Sequence, residues 1–461
     1  MNSKPLTYDS LKTVIQYMEP NTRILLYSKI PLIRTVERRV PLRLKELVVG
    51  NHHIRVNDIS YSYEVYQMND TKNVVSGRSR LNGRTVCDVD EFGIRDYITK
   101  AGGMVPGNNG HVERNLFGDY DRENIPSNEG RLERLKKLLE VEKQQYSQLL
   151  NYRPNGNVNG GHRSFYQFTR LREDTIGRIY KQEELELLEN EENVKKVVES
   201  TKERIKRMKK ELVPFENKRN NIRPNFEIHF MKSRGNKPLH LIKRINYTRD
   251  LHKAGEYLME VMFGKRRDFQ TNLSRFYLGC TTQYPRSFKI KANKLCFIGD
   301  GPLNLDRLKP VIDESSFPLE EISIQKPFHN PQEIEHELIG NCKALKLSGK
   351  CDLLLRLIPT LQHQSVDFFI PSYYFEREPF ITLIRSWIET NNPVGTCFTF
   401  STYQSKQHAI EVLHFVNNQI NGSVLFFDRV DIPMANSKVV RISYESDKQD
   451  SYLIKMTVVS L

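Results

Sequence analysis

Residues 320–325 read "EEISIQ", in which Ile322 and Ile324 alternate with polar residues, and this short pattern recurs through the C-terminal part of the chain. Alternation with a period of two is typical of a strand that buries one face. Successive copies begin 23 to 30 residues apart. The other copies are "KLCFIG" at 294–299, "KALKLSG" at 343–349, "VDFFIP" at 366–371 and "GTCFTFS" at 395–401, and "VLFFDRV" at 424–430 is a candidate continuation.

Helical patterns lie between these predicted strands, at "NPQEIEHELIG" (330–340) and "REPFITLIRSWIETN" (377–391). A strand and a helix at this spacing are typical of leucine-rich-type repeats, here degenerate because the usual asparagine ladder is missing. Each unit buries its apolar face against its neighbours, which predicts a parallel sheet. "VVRISY" (439–444) and "SYLIKMTVV" (451–459) predict a hairpin that covers the last edge of this sheet.

The N-terminal stretch "PLTYDSLKTVIQYMEPNTRILLYSKIP" (5–31) predicts short helices separated by prolines. The first helix is expected to end at Pro20, because proline cannot donate a hydrogen bond into a helix. Asn21 or Thr22 is expected to cap the second helix, and Pro31 fits the first turn of a third. The apolar residues that spacing places on the faces of the first two helices are Leu11, Val14, Ile15, Met18, Ile24 and Leu25.

The middle of the chain combines strand, loop and helix patterns. "ISYSYEVY" at 59–66 predicts a strand, and 101–128 is rich in Gly and Asn and predicts a loop. Residues 129–215 carry two heptad-like apolar seams, which Glu142, Glu191 and Thr201 interrupt. The interruptions favour an internal helical hairpin, and a coil that joins two chains remains the alternative.

These patterns predict a chain of mixed α+β or α/β class. It would comprise a short N-terminal helical module, a β-rich segment with a helical-hairpin insertion, and C-terminal degenerate strand–helix repeats. The predicted segments are 1–42 (helical module), 43–128 (β-rich segment and loop), 129–215 (helical hairpin), 216–290 (mixed α/β) and 291–461 (repeats and hairpin).

Composition limits the classes of partner and the compartments that we expect for the protein. The formal net charge is +14, yet Lys and Arg alternate with Glu along most of the chain, so nucleic-acid binding is not expected. No apolar run reaches the ~20 residues that cross a bilayer, and no secretory signal is evident. We therefore expect an intracellular protein, in the cytoplasm, the nucleus or both. The six cysteines form no C-x-x-C pair and are expected to be free thiols.

Catalytic and metal-binding motifs are missing from the sequence. It has no phosphate-binding loop, no nucleophile elbow and no H-E-x-x-H. His52, His53 and His336 lack a second pair of ligands at metal-binding spacing, so structural or surface roles are expected for them. We expect no catalytic residue, metal or cofactor, and no enzymatic activity.

Several stretches carry a resemblance to a known family. They are "PLTYDSLKTVIQYMEPNTRILLYSKIPLIRTVERRVPLRL" (5–44), "DVDEFGIRDYI" (88–98), "NKRNNIRPNFEIHF" (217–230), "YTRDLHKAGEYLMEVMFGKR" (247–266) and "LIRSWIETNNPVGTCFTF" (383–400). The start resembles an F-box, a helical module that docks onto SCF-type ubiquitin ligases. The whole chain looks like a nematode F-box C family protein, with an F-box-like start and an associated domain of unknown function.

The resemblance implies a substrate-recognition adaptor that docks on the ligase linker subunit and its cullin. The linker-binding residues would be Leu11, Val14, Ile15, Met18, Pro20, Ile24 and Leu25. The alternative is a ligase-independent interaction protein whose N-terminal helices only cap the domain.

The protein target is expected to bind the exposed face of the C-terminal sheet, through alternate strand positions such as Glu321, Ser323, Lys346 and Thr399, or the loops at 299–304, 326–330 and 371–378. Within the last loop, aromatic residues favour partner binding, although packing against a neighbouring repeat is an equal alternative. These aromatic residues are Tyr373, Tyr374 and Phe375.

Overall fold

The structure is a computed structural model of the 461-residue chain. It describes residues 7–461 apart from 51, 69–87, 95–127, 155–161, 175–176, 236, 265, 267, 278–283, 300–304, 326–335, 349–360, 362, 370–376, 403–404 and 447–451.

The described helices are α1 (Tyr8–Tyr17), α2 (Pro20–Lys29), α3 (Arg34–Glu37), α4 (Asn128–Asn151), α5 (His162–Asp174), α6 (Gln182–Leu185), α7 (Glu191–Arg219), α8 (Leu251–Phe263), α9 (Glu337–Gly340), α10 (Arg377–Thr390) and α11 (Lys406–Gln419). Short 3-10 turns span Pro31–Ile33, Leu305–Arg307, Lys309–Val311 and Glu314–Ser316.

The described strands are β1 (Leu42–Gly50), β2 (His53–Val56), β3 (Ile59–Met68), β4 (Asn225–Arg234), β5 (His240–Asn246), β6 (Phe269–Tyr277), β7 (Lys291–Ile298), β8 (Leu319–Gln325), β9 (Cys342–Ser348), β10 (Ser365–Phe369), β11 (Cys397–Thr402), β12 (Val424–Leu425), β13 (Arg429–Met434), β14 (Lys438–Ser446) and β15 (Tyr452–Ser460).

The chain is a mixed α/β protein whose contacts divide it into two compact units. Unit 1 comprises Met1–Tyr61, Ser233–Lys237 and Glu256–Leu461, and unit 2 comprises Ser62–Lys232 and Pro238–Gly255. The predicted helical module and repeats fall in unit 1, and the predicted hairpin falls in unit 2. No described helix is both long enough and apolar enough to cross a membrane.

Unit 1 contains a sheet with the strand order β12-β13-β14-β15-β11-β10-β9-β8-β7-β6-β1-β2. The run from β6 to β11 is parallel, and β1 lies parallel to β6. The recurring strand patterns form β7 to β11, and the predicted hairpin forms β14 and β15, with β15 antiparallel to β11. The candidate continuation at 424–430 does not extend the parallel series, because β12 is two residues long and pairs antiparallel with β13.

The core of this sheet is made by apolar residues that stand side by side on neighbouring strands. One such row aligns Leu295, Ile322, Leu345, Val366 and Phe398, all buried. Burying each side chain in such a row stabilises the fold by about 1.5–3 kcal/mol. Helix α10 packs on the same side, because the ring of its Trp387 lies 4.7 Å from that of Phe398, centroid to centroid.

Unit 2 is built around two antiparallel helices. Leu135, near the start of α4, packs with Met208 in the second half of α7, whereas Leu149, at the end of α4, packs with Val194 at the start of α7. The predicted internal hairpin is therefore present within one chain. Helix α5 packs on it through Phe168, an element that the sequence patterns did not predict. The alternative, a coil that joins two chains, stays a prediction.

Candidate functional site

The N-terminal helices are delimited by local caps. The side chain of Thr7 accepts a hydrogen bond from the Ser10 backbone and caps α1. Glu19 caps α2 by accepting from the Thr22 backbone at 2.9 Å, and Pro20 is the first residue of that helix. The sequence prediction of Asn21 or Thr22 as the cap is therefore wrong, because Pro20 occupies the first helical position, which its fixed φ and missing N–H suit, and the cap position falls on Glu19.

The residues predicted to bind a linker subunit differ in their exposure. Ile15 and Ile24 are 1% and 2% exposed, and Ile15 packs with Val36 and Val40 in a small core. They hold the helices together and present no surface to a partner. Val14 is 45% exposed. The remaining four, which are partly exposed, are Leu11, Met18, Pro20 and Leu25.

Other large apolar residues of the N-terminal segment are exposed as well. Tyr17 and Leu32 are 84% and 91% exposed, unusually high values for large apolar side chains. Tyr17 follows Val14 by three residues, so both lie on one side of α1. The other exposed large apolar residues of this segment are Tyr8 and Ile30.

Buried polar contacts hold α2 against α3 and the following strand. The Arg23 guanidinium bonds to Glu37, with Nη2 3.0 Å from Oε1, and Arg266 forms a second ion pair with the same carboxylate. Arg23 also donates to the backbone carbonyl oxygens of Val40 and Pro41. Burial lowers the pKa of Arg23 from its ordinary value, while the Glu37 carboxylate opposes this effect.

The sheet of unit 1 presents a second candidate surface on the side opposite its apolar rows. Glu321 lies between two lysines of neighbouring strands, with its Oε2 3.4 Å from Lys294 Nζ and 3.1 Å from Lys346 Nζ. The Lys346 ammonium is also 3.8 Å from Asp367 Oδ2. We call Lys294, Glu321, Lys346, Asp367 and Thr399 the charged sheet face.

The predicted alternation holds for Glu321, Lys346 and Thr399, which are partly exposed, but the prediction that Ser323 is exposed is wrong. Lys346 aligns with Ser323 on one side and with Asp367 on the other. Lys346 and Asp367 have side chains 45% and 43% exposed, whereas Ser323 shares their face and is buried at 9%. Charges of opposite sign neutralise each other along the row, so this face offers specific polar contacts without a net positive field.

The other predicted partner-binding residues lie beyond the part of the chain that the structure describes. This holds for Tyr373, Tyr374 and Phe375, for 300–304 and for 326–330.

Among the described residues, no group of three or more His, Cys, Asp or Glu side chains is arranged to hold a metal ion. His336 instead caps α9, because its Nδ1 accepts a hydrogen bond from the Leu338 backbone at 3.1 Å. His52 is buried in the turn before β2.

The described cysteines are free thiols, and Cys342 is the least reactive by its pKa. Burial raises the pKa of Cys342 to about 12. We expect iodoacetamide to alkylate it about 1,000-fold more slowly in the native protein than in urea, because the thiolate is the nucleophile and each pKa unit changes its fraction tenfold. Peptide mass spectrometry over a time course measures both rates, with the partly exposed Cys397 as the internal control. Equal rates for Cys342 in the two states would contradict the burial that raises its pKa.

Comparison with known proteins identifies one similarity. The model of a family described as a domain of unknown function, DUF3557, matches residues 250–404. This is about one third of the chain, and it covers α8, β6 to β11 and α10 but not the N-terminal helices. No curated protein and no solved structure matches the chain.

Proposed function

We propose that the protein is a non-enzymatic adaptor that docks on an SCF-type ubiquitin ligase through its N-terminal helices and recruits a protein target. The observation that carries the proposal is the exposure of Tyr17 and Leu32 on helices whose own core is already filled by Ile15 and Val36. Large apolar groups left in water favour burial against a partner, at about 25 cal/mol per Å² of surface removed from water.

The family resemblance supports the same proposal. The matched residues 250–404 include most of 247–266 and all of 383–400, two of the stretches that resemble the nematode F-box C family. The target would bind the charged sheet face, whose alternating charges suit a protein partner better than a polyanion.

Docking is tested by substituting exposed residues rather than buried ones. We expect Tyr17→Asp combined with Leu32→Asp to reduce co-purification of the ligase linker subunit and cullin by at least about 100-fold, since two central apolar contacts together are worth ~3 kcal/mol or more. Quantitative affinity purification measures this loss. Because both side chains are exposed, the melting temperature should stay within a few degrees of the wild type.

The matched control is Gln407→Asp combined with Asn418→Asp, which adds the same charge at exposed polar positions of α11, outside the N-terminal helices. This control should keep the linker. A wild-type protein that never associates with the linker would overturn the proposal.

A second function, that of a ligase-independent interaction protein, is favoured by one observation. The N-terminal helices are tied to the rest of unit 1 by buried contacts, since Glu37 pairs with Arg266 and the Asn21 amide donates to the Val56 carbonyl oxygen at 3.2 Å. Such contacts suit helices that cap a domain. Under this alternative, Tyr17→Asp with Leu32→Asp leaves every partner of the wild type bound.

A further inference from the structure

The end strand of unit 2 exposes an unusual amount of side chain. Among the described strands, β5 is last in the sheet order and pairs only with β4. Five of its seven residues are exposed and the other two are half-buried, so both of its faces are accessible. An end strand also presents backbone N–H and C=O groups that a further strand can pair with.

Two cations on this strand have no acidic partner among the described residues. Lys243 and Arg244 are adjacent, so they point to opposite faces, and neither forms an ion pair with a described residue. In contrast, many cations elsewhere in the chain are paired, as in the charged sheet face. Ile245 follows them and aligns with the buried Ile228 of β4.

The register defines where a new strand would pair. Residue Ile242 has no counterpart on β4, because the pairing shifts between Phe230 and Met231. The regular stretch is therefore Lys243–Asn246, and a partner there meets two cations in succession and then an apolar residue.

We propose that β5 binds an extended acidic peptide segment of another protein as an added strand. Two consecutive acidic residues of the peptide would lie opposite Lys243 and Arg244, next to an apolar residue opposite Ile245. Main-chain hydrogen bonds supply affinity in this mode and the side chains supply specificity. A nucleic acid fits the site less well, because it has no amide edge to pair with β5 and its binding draws on many phosphate contacts. The proposal does not depend on docking to a ligase.

The test uses the full chain and a fluorescent peptide, Thr-Val-Glu-Glu-Val-Thr with blocked ends, whose symmetric pattern fits either strand direction. Fluorescence anisotropy should show saturable binding that the Lys-Lys analogue lacks. Two further peptides carry N-methyl groups on one or the other alternate set of amides, and one of them should lose at least about 10-fold in affinity because its amides no longer donate to the strand.

Charge reversal at Lys243→Glu with Arg244→Glu should likewise weaken binding at least about 10-fold, or ~1.4 kcal/mol. Lys136→Glu with Lys137→Glu makes the same change in net charge at exposed positions of α4, and it should bind like the wild type. No binding, or equal binding of both N-methylated peptides, would overturn the proposal. In those cases Lys243 and the irregular register protect the edge from pairing.

Discussion

Replacing Glu37 with alanine is expected to lower the free energy of unfolding of unit 1 by about 3–5 kcal/mol, because two guanidinium groups would be left buried without their counter-ion. The side chains of Arg23 and Glu37 are 3% and 1% exposed, and that of Arg266 is 1% exposed. The Tyr27 ring lies 5.2 Å from Arg266 Cζ and adds a cation–π contact, which cannot replace a carboxylate.

Urea unfolding measures this loss through the single tryptophan of the chain, Trp387, which is buried in unit 1. The control is Glu445→Ala, which removes an ion pair to Lys455 whose two side chains are 54% and 37% exposed. Surface pairs of this kind contribute about 0–1 kcal/mol, so the control should unfold near the wild-type midpoint. If Glu37→Ala loses no more stability than the control, the buried network does not hold the N-terminal helices in place.

The strands of the C-terminal sheet could be predicted from the sequence because their pattern is local. Ile322 and Ile324 lie two residues apart, and the alternation in each copy of the pattern identifies the buried face of that strand. The parallel direction followed from the helical patterns between the copies, since a parallel pair needs a crossover. "VLFFDRV" misled because its apolar residues are consecutive, and Phe427 is 89% exposed in the structure.

The docking surface could be predicted only in part. Periodicity placed Ile15 and Val14 together as apolar residues of α1, but it cannot decide whether a neighbour within the chain or a separate protein covers each of them. The structure assigns Ile15 to the core and leaves Val14 exposed. The i, i+3 spacing from Val14 would have placed Tyr17 on the same side of α1. The spacing of Leu32 from Val36 and Val40 predicts one helical face for all three, but Leu32 lies in the 3-10 turn Pro31–Ile33 and is exposed.

Long-range polar contacts could not be predicted at all. Glu37 and Arg266 are separated by 229 positions, and in the sequence each is one of many charged residues. The same limit applies to Lys243 and Arg244, because the absence of an acidic partner for them among the described residues is a property of the folded chain. Charge in a sequence indicates only that a partner is needed, and the fold decides whether that partner is internal.

Glu142 interrupts the apolar pattern of its helix and still has a structural role in the fold. It was predicted to interrupt the apolar seam of α4, and the structure buries its side chain at 4% exposure between two arginines. Its Oε1 lies 3.4 Å from Arg172 Nη2, and its Oε2 lies 3.0 Å from Arg204 Nη2. Thr201, another of the three predicted interruptions, accepts a hydrogen bond from Arg172 at 2.9 Å. Glu142 and Thr201 therefore meet in one buried polar cluster that joins α4, α5 and α7.

Replacing Glu142 with alanine is accordingly expected to destabilise the helical core of unit 2 by about 3–5 kcal/mol, since Arg172 and Arg204 lose the carboxylate between them. Hydrogen exchange of the α4 and α7 amides measures the loss for this unit separately from unit 1. The control is Glu140→Ala on the same helix, where a side chain 60% exposed pairs with Lys143 and where a change below about 0.5 kcal/mol is expected. Glu142→Gln should lie between the two, because the amide keeps a hydrogen-bond acceptor but removes the negative charge. If alanine at Glu142 and at Glu140 proved equivalent, the apolar residues of the seam alone would hold the hairpin together.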